Sequence, residues 1–380
     1  MMIVHVHHTF YPVLGGLERV VYSISKELAG LGHEVHVVTS TYGASGRPRY
    51  EELDNIYIHR VKARTFHFPD LTIPKEVPRE LLVRADIVHC HSQNSFFNTK
   101  VAEYAKRLNS RVAIHFMAID ALYDHPNILI RTLGIHYARY MLRKAISLAD
   151  LKMCRSLRDF MLLKTRYSVE DIHLVPDGID KSFITKEFMG DKFREKYKIY
   201  DDVILYIGRM HPLKGLKVLI KAIPYVVKEY RHVRFVFIGP GDAEPYKALA
   251  KRLGVENYVI FLGFVDEETK LAALDASTCL VLPSICDYVE VYPMVISEAW
   301  ARRRAVIASS VGGIPYRVKH MVNGLLVPPK DHRKLAKAIL TLLQDKSLAK
   351  KLGERGFRKV LTWDLVASIL LKLYSKTSTG

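Results

Sequence analysis

Apolar positions along this chain follow two alternating patterns. Short, mostly apolar runs recur at 3–6, 34–39, 86–91, 111–116 and 151–154, each too short for a helix and fit for a strand buried on both faces. Between them the spacing turns helical. Leu17, Val20, Val21, Ile24, Leu28 and Leu31 fall on one face, with Glu18, Arg19, Lys26 and Glu27 opposite, and Gly32 ends the helix. Residues 99–108 and 127–150 read as further helices, the second carrying Arg131, Arg139, Arg143 and Lys144. Turn residues at 175–180 and a polar, charged stretch at 186–202 interrupt the alternation. It restarts with strands at 203–208, 233–239, 259–264, 279–283 and 305–308, a helix at 216–230, and a closing helix through Leu365, Ile369, Leu370 and Leu373. Strand–helix–strand units of this kind build parallel sheets. The pattern predicts an α/β protein of two successive domains, residues 1–182 and 183–363, with a frayed polar tail from Ser375 to Gly380.

Composition narrows the function. A chain of 380 residues that is 49% hydrophobic and 25% charged suits two ordinary domains. No apolar run is long enough to span a bilayer, and the first residues read as a strand rather than a signal peptide, so a cytoplasmic protein is expected. Cys90, Cys154, Cys279 and Cys286 form no CxxC pair and read as reduced thiols. The formal net charge of +18 asks for an anionic partner: nucleic acid, a membrane surface or a small substrate. Basic residues are spread along the chain, Arg302, Arg303 and Arg304 being the densest run, and no nucleic-acid motif accompanies them.

Ligands of open parallel sheets bind beyond the carboxyl ends of the strands, so the loops there hold the candidate chemistry. Gly15 and Gly16 precede a helix whose free amides suit a phosphate, although a plain flexible turn fits equally well; no GxGxxG fingerprint occurs. Arg209 and Lys214 flank a Pro-containing turn after a strand and could clamp a diphosphate, since cations at a helix start are unfavourable without an anion nearby. Glu290 and Glu298 bracket an uncharged heptad; a helical heptad would point both to a similar side, where carboxylates accept bonds from sugar or ribose hydroxyls. Charge at a helix start explains them almost as well. His115 ends a strand, and by itself reads more readily as a satisfied core residue.

In order along the chain, Gly15-Gly16, the GHEV run at 32–35, His115, PDGID at 176–180, GR…KG at 208–215, the Glu290/Glu298 pair and GGIP at 312–315 resemble the retaining glycosyltransferases of family 4. That resemblance implies the GT-B fold of two facing Rossmann-like domains, with a C-terminal helix (364–380) crossing back to the first. It implies a hexose or N-acetylhexosamine moved from a UDP- or GDP-linked donor to a hydroxyl acceptor, either lipid-linked or a glycan end. In the implied roles Arg209 and Lys214 hold the diphosphate and Glu298 the ribose. Glu290, the family's signature acid, and His115 lie at the reacting sugar. Phe264 and Val265 receive the base, and Gly15, Gly16, Met294 and Val295 line the phosphates. The family needs no metal and no cofactor beyond its donor, in keeping with the lack of an Asp-x-Asp motif. Departures from its pattern are Asp177 for Asn, Pro293 and Arg303 for Gly, and Tyr316 for Glu. The opening HHTFYPVLGG is similar to the subunit that transfers N-acetylglucosamine to phosphatidylinositol, and mannosyltransferases acting on that lipid share the layout. With the basic helix at 131–144, this points to peripheral docking on an anionic membrane face. An epimerase or glycogen-type synthase of the same architecture is the alternative enzyme reading, and a basic nucleic-acid-binding protein the weakest.

Overall fold

A computed structural model describes residues 1–13, 15–66, 71–125 and 127–376. The end of the polar tail, 377–380, lies outside the described residues. The chain divides into two compact units, Met1–Gly178 with Leu361–Gly380, and Ile179–Val360.

The first unit is built on strands β1 (Met2–Val6), β2 (Glu34–Ser40), β3 (Tyr50–Leu53), β4 (Ile56–Val61), β5 (Ala63–Phe66), β6 (Leu71–Pro74), β7 (Ile87–His91), β8 (Val112–Phe116), β9 (Leu151–Cys154) and β10 (His173–Leu174). Eight of them form one sheet in the order β10-β9-β8-β7-β1-β2-β4-β3, parallel except for β3, while β5 and β6 pair as a separate hairpin. Strands β1, β7 and β8 are buried at every residue, as strands covered on both faces must be. The apolar-run reading did not reach β3 to β6. These strands alternate buried or half-buried positions with exposed ones, or carry charges such as Glu51, Glu52 and Arg64, so no continuous apolar run marks them. The final helix, Trp363–Lys376, packs in this unit: Tyr374 is buried, its hydroxyl lies 2.7 Å from Nδ1 of His89, and its carbonyl accepts from Nη1 of Arg111 at 2.6 Å.

The second unit holds β11 (Asp202–Ile207), β12 (Val233–Ile238), β13 (Val259–Gly263), β14 (Ser277–Leu282), β15 (Ala305–Ser309) and β16 (Leu325–Val327). They form one wholly parallel sheet in the order β13-β12-β11-β14-β15-β16. Helix Leu216–Glu229 turns Leu216, Leu219, Ile220, Ile223 and Val226 onto Tyr206, Phe235 and Phe237 of one sheet face. Helix Met294–Ala301 turns Ile296, Ala299 and Trp300 onto Leu205, Val236 and Leu280 of the other. Each such buried aliphatic or aromatic side chain contributes roughly 1.5–3 kcal/mol. The packing aligns the strand ends, and that alignment places the loops in which the chemistry lies.

Candidate active site

In the second sheet the chain runs outward in both directions from β11, with β12 on one side and β14 on the other. That is a topological switch point, where loops diverge and leave a crevice at the carboxyl ends. Gly208 follows β11 and Pro283 follows β14. The two loops touch. A Cβ on Gly215 would overlap the Pro283 carbonyl, the Ile285 amide donates to the Leu213 carbonyl at 3.0 Å, and Gly215 takes φ +73. Glycine is the residue that meets both demands.

Lys214 and Glu290 are brought together here. Nζ of Lys214 donates to Oε1 of Glu290 at 2.7 Å and to the Val289 carbonyl at 3.4 Å, and the Ser284 hydroxyl donates to the same carboxylate oxygen. Glu290 is only 2% exposed and Lys214 17%. Buried charges persist when paired in this way. The Glu290 backbone is pinned too: its carbonyl accepts from the Gly313 amide at 2.7 Å, and Asp287 accepts from the Gly312 amide at 2.7 Å. A Cβ on Gly312 or Gly313 would overlap the carbonyls of Glu290 or Val291, which is the steric reason for the paired glycines of the GGIP turn.

Glu298 has a different partner. The heptad is not one helix: it begins in a loop and turns helical only at Met294, behind Pro293 as the cap. Glu298 therefore pairs with Lys270 at 2.9 Å and not with Lys214, so the expectation that the two carboxylates share a side through a helical heptad is corrected. Met294 and Val295, at the helix start, are half-buried against the core. Arg209 is exposed, with its backbone carbonyl held by the Tyr206 hydroxyl at 2.8 Å. Burial, and then the nearby Glu290 charge, push the Tyr206 phenol far up, so it stays a neutral donor. Phe264 is 77% exposed just past β13, and Val265 beside it is half-buried.

In the first unit Gly15 caps the helix Gly16–Gly30, and the Glu18 carboxylate lies where a Cβ on Gly15 would stand. That carboxylate accepts from the Thr9 hydroxyl, and a negative charge in the first turn is what the helix dipole favours. His115, at β8, is buried with its ring against those of His89 and His91, which in turn meet His5. Its Nε2 donates to the Val175 carbonyl at 3.0 Å, which leaves Nδ1 an unprotonated, unpartnered acceptor. Burial, then the Arg155 charge, hold its pKa well below the usual range.

Sequence reasoning did not find Lys270, Ser284, Tyr206 or the histidine ladder. The ladder had a signal in the sequence: His5, His89, His91 and His115 all fall within the apolar strand runs, where a polar residue must find a partner inside. His5, His89 and His91 place ligand atoms within 4.8 Å of one another and form a group that could hold a metal. Arg155 opposes that role. It donates from Nη2 to Nδ1 of His91 at 3.2 Å, so the His91 proton sits on Nε2, which donates to Nδ1 of His5 at 2.9 Å. The bond uses the lone pair a cation needs and sets a positive charge beside it.

Residues 14–183 match the family described as Glycosyltransferase Family 4, and residues 201–345 match Glycosyl transferases group 1. An uncharacterised glycosyltransferase of Methanocaldococcus jannaschii is 27% identical over 96% of this chain and 95% of its own. The phosphatidylinositol N-acetylglucosaminyltransferase GPI3 subunit of Saccharomyces cerevisiae is 23% identical over 97% of this chain and 82% of its own. Among solved structures, Anabaena HepE in complex with UDP superposes with a TM-score of 0.78 at 20% identity, covering 99% of this chain and all of that one.

Proposed function

Because this chain belongs to the group 1 glycosyltransferases of family 4 and has their GT-B fold, we propose that it carries a hexose or N-acetylhexosamine from a UDP-linked donor to a hydroxyl acceptor, with retention and without a metal. The observation that carries the proposal is the buried Lys214–Glu290 pair at the switch point of the second sheet. An ammonium held there by the Glu290 carboxylate and the Val289 carbonyl has one donor left for a diphosphate, and Arg209, exposed in the same strand-end loop, adds a planar fork for the same group. The two basic groups would stabilise charge growing on the departing nucleoside diphosphate. Glu290 is engaged by Lys214 and Ser284, which suits an acceptor of sugar hydroxyl bonds rather than a nucleophile; the leaving phosphate would then take the acceptor proton. Glu298, steadied by Lys270, would accept from the ribose. Phe264 and Val265 would flank the base, and Met294 and Val295 offer amides at a helix start. Within the first unit, His115 would offer Nδ1 as an acceptor for a sugar hydroxyl, and Gly15 and Gly16 would offer an open helix start to a phosphate. The uracil base is favoured because the HepE structure binds UDP.

The test is a calorimetric titration with UDP, GDP, ADP and their sugar conjugates. UDP should bind as a single site. Arg209→Ala, at an exposed position, should leave the fold intact and cost about 1–3 kcal/mol of that affinity, the range for a charged hydrogen bond. Unchanged affinity in this variant removes Arg209 from the site, and binding of none of the three nucleotides overturns the donor reading.

A lipid-linked acceptor is supported by the helical segment at 128–148. Ile128, Leu129, Leu133 and Tyr140 are between 60% and 66% exposed, and Arg131 and Arg143 are exposed beside them. Apolar side chains flanked by cations suit an anionic bilayer. The protein should co-sediment with vesicles containing phosphatidylinositol in low salt, less so at 0.5 M salt, and Leu129→Glu with Leu133→Glu should release it. Equal sedimentation of wild type and double variant would contradict this.

A further inference from the structure

The arginine run at 302–304 plays no part in the donor reading, yet it lines a cavity of about 420 Å³ in the second unit. The cavity lies at the other end of the sheet. Its wall includes Asp202, the first residue of β11, Ser277 and Thr278, which begin β14, and Arg304, just before β15. The six residues of β11 span about 20 Å, so the cavity is separated from the Lys214–Glu290 pair by the length of a strand.

Its charge is unbalanced. Six basic side chains line it against the three acids Asp202, Asp275 and Glu354. Two of the six are structural: Arg302 is buried, bidentate on Asp275 and bonded to the carbonyls of Phe183, Lys186 and Glu187, and Arg194 holds the carbonyls of Asp201 and Ala276. The others are available to a ligand. Lys346 and Arg303 make partly exposed pairs with Asp202 and Glu354, the sort that exchange readily. Lys350 is exposed and has no ion-pair or hydrogen-bond partner among the described residues. Arg304 donates only a long bond of 3.3 Å to the Ser277 carbonyl, and its Nε is buried without a partner.

The backbone adds an independent sign. Arg303 takes φ +55, a conformation that costs a side-chain-bearing residue energy glycine would not spend. Gly353 packs so closely that a Cβ there would overlap the Arg303 carbonyl, which holds the strained residue in place. An arginine at a position suited to glycine is explained if its guanidinium is used.

We propose that this cavity is a second anion site, distinct from the donor crevice, that takes a phosphate dianion, either inorganic or the phosphate end of a small ester. A concave site of this volume fits a small ligand and not a bilayer or a nucleic acid, and guanidinium forks suit phosphate oxygens.

The experiment is calorimetry on the full chain carrying Lys214→Met with Glu290→Gln, which disables the donor crevice and keeps the fold, titrated with inorganic phosphate and separately with glycerol 3-phosphate. At least one titrates as a single site, and which one tells free from esterified phosphate. Adding Arg303→Gly, whose glycine accepts φ +55 and keeps the fold, or Lys350→Ala should weaken it about tenfold or more, with unchanged thermal unfolding. No binding of either probe, or binding that both variants leave unchanged, overturns the proposal.

Discussion

Replacing Lys214 with alanine is expected to destabilise the second unit by roughly 3 kcal/mol, besides removing nucleotide binding, because it leaves the Glu290 charge buried without its counter-ion. The Ser284 hydroxyl is a neutral donor and cannot compensate a carboxylate that is 2% exposed. The two effects separate in a double variant. Lys214→Met with Glu290→Gln takes both charges out of the crevice at similar volume, so the stability should return to within about 1 kcal/mol of wild type, in line with the replacement of buried ion pairs by neutral groups. Nucleotide binding should not return, since no ammonium remains for the diphosphate. Urea denaturation and calorimetry on the two variants read the two quantities. A double variant as unstable as the single one would show that the pair is not coupled. A single variant that still binds UDP would remove Lys214 from the donor site. Glu290→Ala is a milder case: Lys214, at 17% exposure, can reach water, so turnover should fall with a smaller loss of stability.

Much of this site was legible in the sequence, and the unread parts share a cause. Strand-end glycines, the Arg209/Lys214 turn and the Glu290 loop stand out because they interrupt a regular alternation of apolar runs and helices. What spacing cannot give is which side chain meets which. Glu290 and Glu298 read as a pair on one helical face, but Pro293 delays the helix to Met294, and the two carboxylates take separate lysines. Lys270 and Ser284 become partners only once a helix and a strand-end loop are packed against the same carboxyl ends, and they lie 28 and 6 residues from the acids they serve. The edge strands β3, β5 and β6 escaped for a different reason: an edge is half wet, so its residues need not be apolar.

The histidine ladder gives the second large effect, an acid-induced loss of the first unit. His5, His7, His89, His91 and His115 are buried, and burial holds each pKa below the usual histidine value, that of His5 at about 3. The groups around them do not offset this: Arg155 is a cation and Tyr374 a neutral phenol, Asp177 is paired with Arg155, and Glu18 lies 4.0 Å from His7. Below about pH 6.5 the unfolded chain takes up protons that the folded unit refuses, so the unfolded state binds more protons and stability falls with pH. The stabilisation is complete above about pH 6.5 and drains away as pH falls toward the folded values. Each fully buried histidine contributes up to about 1.4 kcal/mol per pH unit in that window, so five acting together approach about 7 kcal/mol per unit, comparable to the stability of a whole domain. The first unit should therefore unfold near pH 5, well above the range in which carboxylates titrate. Urea midpoints measured from pH 7.5 to 5 test this, with near-ultraviolet circular dichroism as the readout. His5→Gln retains an acceptor for His91 and removes one titrating ring, so its stability should fall less steeply with pH, by about one-fifth of the wild-type slope. A wild-type stability that stays flat between pH 7 and 5 would mean that the ladder takes up protons within the fold, and the burial argument would fail.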